Sequence, residues 1–259
     1  GIMTACRTPI KNNHAHMDPG GFDFCAYGEP LISDPGIFTY KDDINRYHFK
    51  STGWHNTAMI NGRDAWQYIA SWRYGKQEEG DIVSVTEGER HTTVISEHMN
   101  YKPVRLRRIL SLIDKRFLLV IDIAYGMNKE DSMQSSFHIN ASEISMLSSR
   151  CLASSVPDRA NVIIATSGDG AGTKIISGKI STDNDVWHDS LIVRFNTAGN
   201  KEEAAAHAAL IVPLKAGEEP QETVPSLLFE NGIATVSFRF GDTSIKASFN
   251  DTEVDIKED

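Results

Sequence analysis

From residue 81 to the C-terminus this chain alternates apolar and polar residues in short runs, broken by turn dipeptides. Ala234, Val236, Phe238 and Phe240 would share one face of a strand, with Thr235, Ser237 and Arg239 on the other. Met133, Ser135, Phe137 and Ile139 repeat the pattern. A period of two fits a pleated strand with one face buried and cannot be sustained on a helix. Asn231-Gly232, Gly241-Asp242 and Asp114-Lys115 punctuate the runs where hairpins would turn. Residues 81–249 supply about a dozen such segments and no convincing long helix. Ala204 to Leu210 is alanine-rich and helical on propensity, but it runs into Ile211-Val212-Pro213 and is read as strand. The expected class is all-β, a large two-sheet antiparallel β-sandwich.

The 259 residues suffice for a core without disulfides, since a chain of this size buries roughly 70% of its unfolded surface. Cys6, Cys25 and Cys151 are odd in number and widely spaced, against a disulfide framework or a cysteine-rich zinc site. No apolar run approaches the ~20 residues of a membrane-spanning helix. The net charge of −9 disfavours nucleic acid, and an acidic polysaccharide would need a locally basic cleft.

The first 60 residues differ from the rest. Residues 1–13 read as an entering segment in which Gly1 resembles an expression remnant, residues 14–250 as the sandwich, and residues 251–259 as an acidic tail. Within the sandwich, His14, His16, Asp18 and Asp23 lie among Pro19, Gly20 and Gly21; Asp34-Pro35-Gly36 and Ser51 to Thr57, with His55, follow. Residues 41–53 look irregular, Asn61-Gly62 predicts a hairpin turn, and residues 63–80, with Trp66, Tyr68, Trp72 and Tyr74, read as a loop or short helix folded over something.

His14, His16, Asp34 and His55 are residue types that hold zinc, for which three protein ligands and an open position form the usual reactive arrangement. Separations of 18 and 21 residues from His16 to Asp34 and from Asp34 to His55 match no compact metal motif, so the residues alone favour turn carboxylates and polar histidines at a sheet edge over a metal site. Histidine could also transfer protons near neutral pH. In a regular strand His14 and His16 would share a face; Asn12-Asn13 and Asp18-Pro19 suggest irregular backbone that lets them diverge. Asp18 and Asp23, beside proline and glycine, read as turn residues and not as a glycosidase acid pair. Residues 167–174 lack phosphate-loop spacing and precede a strand, so they read as a hairpin loop. Arg105, Arg107, Arg108, Lys115 and Arg116 form the most basic stretch, read as a solvated face or edge safeguard, with sulfate or carboxylate binding as the sharper alternative. His138 is read as a satisfied sheet residue.

Taken together, three ordered blocks carry a resemblance: His14 to Phe22, Tyr27 to Tyr40, and Ser51 to Thr57. This arrangement resembles the C-terminal β-domain of heparinase II/III-like polysaccharide lyases. The resemblance implies a β-sandwich that follows an N-terminal α/α toroid, here absent, and cleavage of uronic-acid-containing polysaccharide, of the heparin/heparan sulfate or alginate type, by β-elimination. A base removes the C5 proton of the uronate, the C4–oxygen bond breaks with acid assistance, and an unsaturated uronate results; neutralising the carboxylate makes the intermediate accessible. By the same resemblance His14 matches the active-site histidine, His16, Asp34 and His55 match zinc ligands, Asp18 matches a structural aspartate, and Tyr40 lies where some members place a tyrosine near substrate. The toroid would supply an asparagine, a second tyrosine and often a histidine, so the chain alone is expected to be inactive. The resemblance also implies a periplasmic or secreted location. The alternative is a non-catalytic carbohydrate-binding or structural β-sandwich using Trp66, Tyr68 and Trp72 as sugar-stacking residues.

Overall fold

The computed structural model describes residues 2–5 as backbone, and residues 14–168, 172–199, 204–251 and 253–258 in full. The fold is all-β, built from three main antiparallel sheets. The first sheet has seven strands. Six run in the order Ile2–Ala5, Gly21–Ala26, Glu29–Ile32, Ser132–Ile139, Val186–Ala198, Lys174–Asp183, and Ala58–Ile60 also pairs with Ser132–Ile139. The central sheet has eight, in the order Ile144–Ser148, Cys151–Ser154, Asn161–Thr166, Ala205–Leu214, Phe117–Tyr125, Val104–Ile113, His91–Tyr101, Gly80–Glu87. A four-stranded outer sheet follows from Ser226–Glu230, Ile233–Phe240, Thr243–Phe249 and Val254–Glu258.

The first and central sheets are the expected sandwich. Leu118, Val120, Val162, Ile164 and Ile211 of the central sheet meet Phe22, Phe24, Phe137, Ile139 and Val193 of the first. The outer sheet adds a second core on the opposite face of the central one, where Phe117, Leu119, Ile121 and Ile123 meet Val236, Phe238, Phe240, Ala247 and Phe249. Phe117–Ile121 alternates strictly between the two cores, and all but the last residue of Phe117–Tyr125 are buried. An antiparallel strand covered on both sides reads as an apolar run, as a parallel one does. Fully burying each large side chain contributes roughly 1.5–3 kcal/mol.

Several expectations are corrected. The acidic stretch 251–259 is not only a tail: Val254–Glu258 pairs with Thr243–Phe249, and Val254 and Ile256 lean on the second core. Residues 2–5, within the expected entering segment, form a strand on Gly21–Ala26. The irregular backbone expected at Asn12-Asn13 and the thiol of Cys6 lie outside the described residues. Residues 167–174 do not turn a hairpin, because Asn161–Thr166 belongs to the central sheet and Lys174–Asp183 to the first; residues 169–171 lie outside the described residues. The irregular stretch contains a helix, Ile44–Lys50, whose N-terminal amide at Arg46 is capped by the Asp43 carboxylate at 3.0 Å. Residues 63–80 hold a small hairpin, Tyr68–Ala70 with Arg73–Tyr74. Ala205–Leu214 is strand, as read. Among the described residues no helix is long and apolar enough to cross a membrane.

Candidate functional site

The site lies where three loops meet beside the first sheet, and the polar residues of the 51–57 segment join them. The Thr52 hydroxyl donates to the Met17 carbonyl at 2.6 Å and accepts the Ala65 amide at 2.8 Å. The Thr57 hydroxyl donates to the Pro19 carbonyl at 2.5 Å. The Asn56 side chain donates to the Phe22 carbonyl at 2.8 Å and accepts the His138 amide at 2.6 Å. Arg108 reaches across from the central sheet: Nη1 donates to the carbonyls of Asn56 at 2.5 Å and Gly20 at 3.2 Å. Its other two nitrogens grip Asp122 at 2.7 and 2.8 Å, and Ser135 donates to the same carboxylate at 2.6 Å. Buried backbone carbonyls left without water need such donors.

This scaffold brings His16, Asp34 and His55 together, with candidate ligand atoms all within 4.8 Å of one another. His55 is fully buried; Nδ1 lies 2.7 Å from Asp34 Oδ2, and Nε2 lies 3.0 Å from the Phe49 carbonyl. A carbonyl only accepts, so Nε2 carries a proton and Nδ1 is the nitrogen turned to the cluster. Asp34 is oriented in turn: its amide donates to Asp23 Oδ1 at 2.6 Å, and Oδ1 accepts the Gly36 amide at 2.8 Å. Burial disfavours charge on both partners of the Asp34–His55 contact, but their mutual attraction and hydrogen bond prevail, holding Asp34 near about 2 and raising His55 to about 9. Burial and the His55 charge drop His16 to about 3.

These residues fit a zinc ion. Two imidazoles and a carboxylate are its ordinary nitrogen and oxygen donors, and three protein ligands leave a position open. The Nε2–H of His55 on a backbone carbonyl is the outer contact that fixes a metal-ligating imidazole. His16 is neutral and Asp34 ionised near pH 7, so both offer lone pairs. A bound cation would take the place of the His55 Nδ1 proton.

His14 diverges from His16. No regular strand forms over residues 14–20, and while His16 packs on His55 with ring centroids 5.1 Å apart, His14 is exposed and meets Trp72 at 5.0 Å and Tyr40 at 6.2 Å. Tyr40 and Trp72 stack at 5.6 Å and 7° and are 48% and 40% exposed, so they form an open aromatic face beside His14. The Ala15 carbonyl between the two histidines accepts the Tyr74 hydroxyl at 2.5 Å and Lys50 Nζ at 3.2 Å. The helix Ile44–Lys50 therefore faces the whole site. Its Lys50 carbonyl accepts the Met17 amide at 2.9 Å, and its Phe49 carbonyl accepts from His55.

Other expected residues fall elsewhere. Arg108 is buried in the Asp122 pair and Arg107 is bound by Glu97 and Asp251, so these two do not belong to a solvated face, whereas Arg105, Lys115 and Arg116 keep solvent exposure. Trp66 is half-buried with its indole nitrogen unpartnered, and Tyr68 donates to Asp42, so only Trp72 of the three expected aromatics joins an open stacking face. His138 is a satisfied sheet residue, held by the Trp54 carbonyl and Ser190. The Asp18 carbonyl accepts the Gly21 amide in a turn. Sequence reasoning missed Arg46 and Lys50 and gave Tyr74 no role at the site, because their helix and hairpin were not expected; the Asp43 cap was the available signal for the helix.

A family profile described as "Heparinase II/III-like, C-terminal" matches residues 3–226. The chain belongs to the heparinase II/III-like family. Two curated relatives are named heparin-sulfate lyase. One, from Bacteroides thetaiotaomicron, is 27% identical over 141 residues, covering 52% of this chain and 18% of the relative. The other, from Bacteroides stercoris, is 22% identical over 208 residues, covering 78% of this chain and 30% of the relative. A solved heparinase III gene product superposes with a TM-score of 0.78 at 18% identity, over 92% of this chain and 37% of that one. The chain thus spans less than half the length of these heparinase relatives and corresponds to their family's C-terminal domain.

Proposed function

We propose that this chain is the C-terminal domain of a lyase that cleaves uronate-containing polysaccharide, of the heparin/heparan sulfate or alginate type, by β-elimination. In this reading His14 works at the substrate as a proton-transfer group, Tyr40 lies against the sugar, and His16, Asp34 and His55 hold a zinc ion that fixes the His14–Met17 loop. The observation that carries the reading is the division of labour between the two histidines. His16 turns inward to Asp34 and His55, while His14 stays exposed beside Tyr40 and Trp72. The zinc supplies charge and cross-linking that organise the loop; His14 and Tyr40 face outward, where a polysaccharide chain can reach them.

The remaining catalytic groups belong to a preceding helical toroid, a partner this reading requires, and the relatives' greater length accommodates it. An exported, periplasmic or secreted enzyme suits a polymeric substrate. The purified 259-residue chain is expected to release no unsaturated oligosaccharide by itself. In a polypeptide that includes the preceding domain, His14→Ala is expected to lower formation of the unsaturated product by ~10²–10⁴ while leaving metal content unchanged. Full activity in that variant would remove His14 from the chemistry. Robust elimination by the isolated chain would show that the toroid is not required.

A further inference from the structure

Arg46 is a charged residue with almost nothing to pair with. It is 1% exposed, on the helix Ile44–Lys50. Its side chain makes one hydrogen bond among the described residues, from Nη1 to the Ile37 carbonyl at 3.3 Å, and its Nε is buried without a partner. No carboxylate pairs with it among the described residues, and residues 1–13 contain no Asp or Glu. A buried guanidinium is normally held by an acid, as Arg108 is by Asp122, because an uncompensated charge in a low dielectric is expensive. Arg46 lies instead beneath the open aromatic face, with Cζ 5.2 Å from the Tyr40 ring centroid and 5.5 Å from that of Trp72. One turn further on, the fully buried Lys50 points Nζ to within 5.7 Å of Trp72. Like charges at i and i+4 oppose each other on a helix, so fold stability alone does not account for Arg46.

We propose that Arg46 is a specificity-determining residue that recognises an anion: it places positive potential behind the Tyr40–Trp72 face so that a carboxylate-bearing sugar is held there beside His14. The inference rests on the polysaccharide-lyase reading of the same site and adds to it the origin of charge selectivity. Surrounded by side chains and not by water, the guanidinium is little screened from the protein side, and its field emerges through the aromatic face. On a chain of net charge −9, such a local field is what an acidic polysaccharide requires. The rings provide stacking area, and the cation behind them favours a uronate over a neutral sugar.

The test is titration calorimetry of the chain with two probes, an unsulfated glucuronate-containing hexasaccharide and its carboxyl-reduced, neutral counterpart. The wild type is expected to prefer the charged probe by about tenfold or more, a preference that falls as salt rises. Arg46→Gln should abolish the preference while leaving binding of the neutral probe unchanged, and Arg46→Lys should restore most of it. Thermal melts and metal content of both variants check that the fold and the neighbouring site persist. An Arg46→Gln variant that keeps the preference, or that weakens both probes equally, overturns the proposal and leaves Arg46 as a scaffold for the rings. A wild type that binds neither probe sinks the sugar-binding reading of the site, and this inference with it.

Discussion

At the scale of single residues, Asn56 shows how the site is held. Its side chain ties Phe22 to His138, and its carbonyl accepts from Arg108, so one residue joins two strands of the first sheet to the central sheet. Asn56→Ala would leave a buried carbonyl and a buried amide unpaired, each worth roughly 1–3 kcal/mol. The expected result is a lower urea midpoint together with weaker metal retention, because His55 is the adjacent residue. A variant with unchanged midpoint and metal content would contradict this linkage. Gly36 makes a comparable demand by shape. It sits at φ +79°, and a Cβ there would come within 2.4 Å of the Ser181 carbonyl oxygen. Only glycine lets the Asp34 loop pass this close to the end of the strand Lys174–Asp183.

At the scale of elements, Arg108 and Asp122 are neighbours on paired strands, and their ion pair is buried. Removing one partner strands the other charge, so Arg108→Met is expected to destabilise by roughly 3–5 kcal/mol, whereas Arg108→Met with Asp122→Leu should cost much less. Equal losses in the single and double variants, measured by denaturant titration, would refute the pairing argument. The elements that were legible in the sequence are those with a strict period of two. Ile233–Phe240 and its Asn231-Gly232 turn, with φ of 51° and 78°, stand where alternation and turn chemistry put them. At Asn61-Gly62 the turn forms, with φ of 54° and 65°, but Ala58–Ile60 pairs with Ser132–Ile139 and not with the next segment. A turn dipeptide specifies a local bend and cannot specify a distant partner. The helix Ile44–Lys50 was hidden because seven residues span two turns, and its buried set, Arg46, Phe49 and Lys50, includes two cations that hydropathy assigns to solvent.

At the scale of the whole molecule, alternation reveals that a face is buried but not what buries it. The outer sheet was therefore invisible as a separate layer, although the unbroken apolar run of Phe117–Ile121 signalled burial on both sides. His16, Asp34 and His55, the candidate metal ligands, were legible in three blocks, while their convergence depended on the contacts of Thr52, Asn56 and Thr57, which no spacing rule supplies. The layered core has a consequence for acid stability. His98, His138 and His207 are buried in the sheets, and burial pushes each down to about 4. With unfolded values near 6.5, the unfolded chain takes up these protons first. Their contribution to stability should be level above about pH 6.5, fall by up to roughly 1.4 kcal/mol per pH unit for each histidine towards pH 4, and change no further below that. Denaturant midpoints between pH 8 and pH 4 test this; a midpoint that does not move between pH 6.5 and 4.5 would count against it.

The central claim is that three separated blocks of sequence build one metal centre. Its most direct measurement is the metal content of the purified chain by elemental analysis, with His16→Ala as the control. About one zinc per chain in the wild type, lost in the variant without loss of the fold, is the predicted result. A folded wild-type chain that, supplied with zinc, retains none, or a His16→Ala variant that retains it fully, would contradict the account.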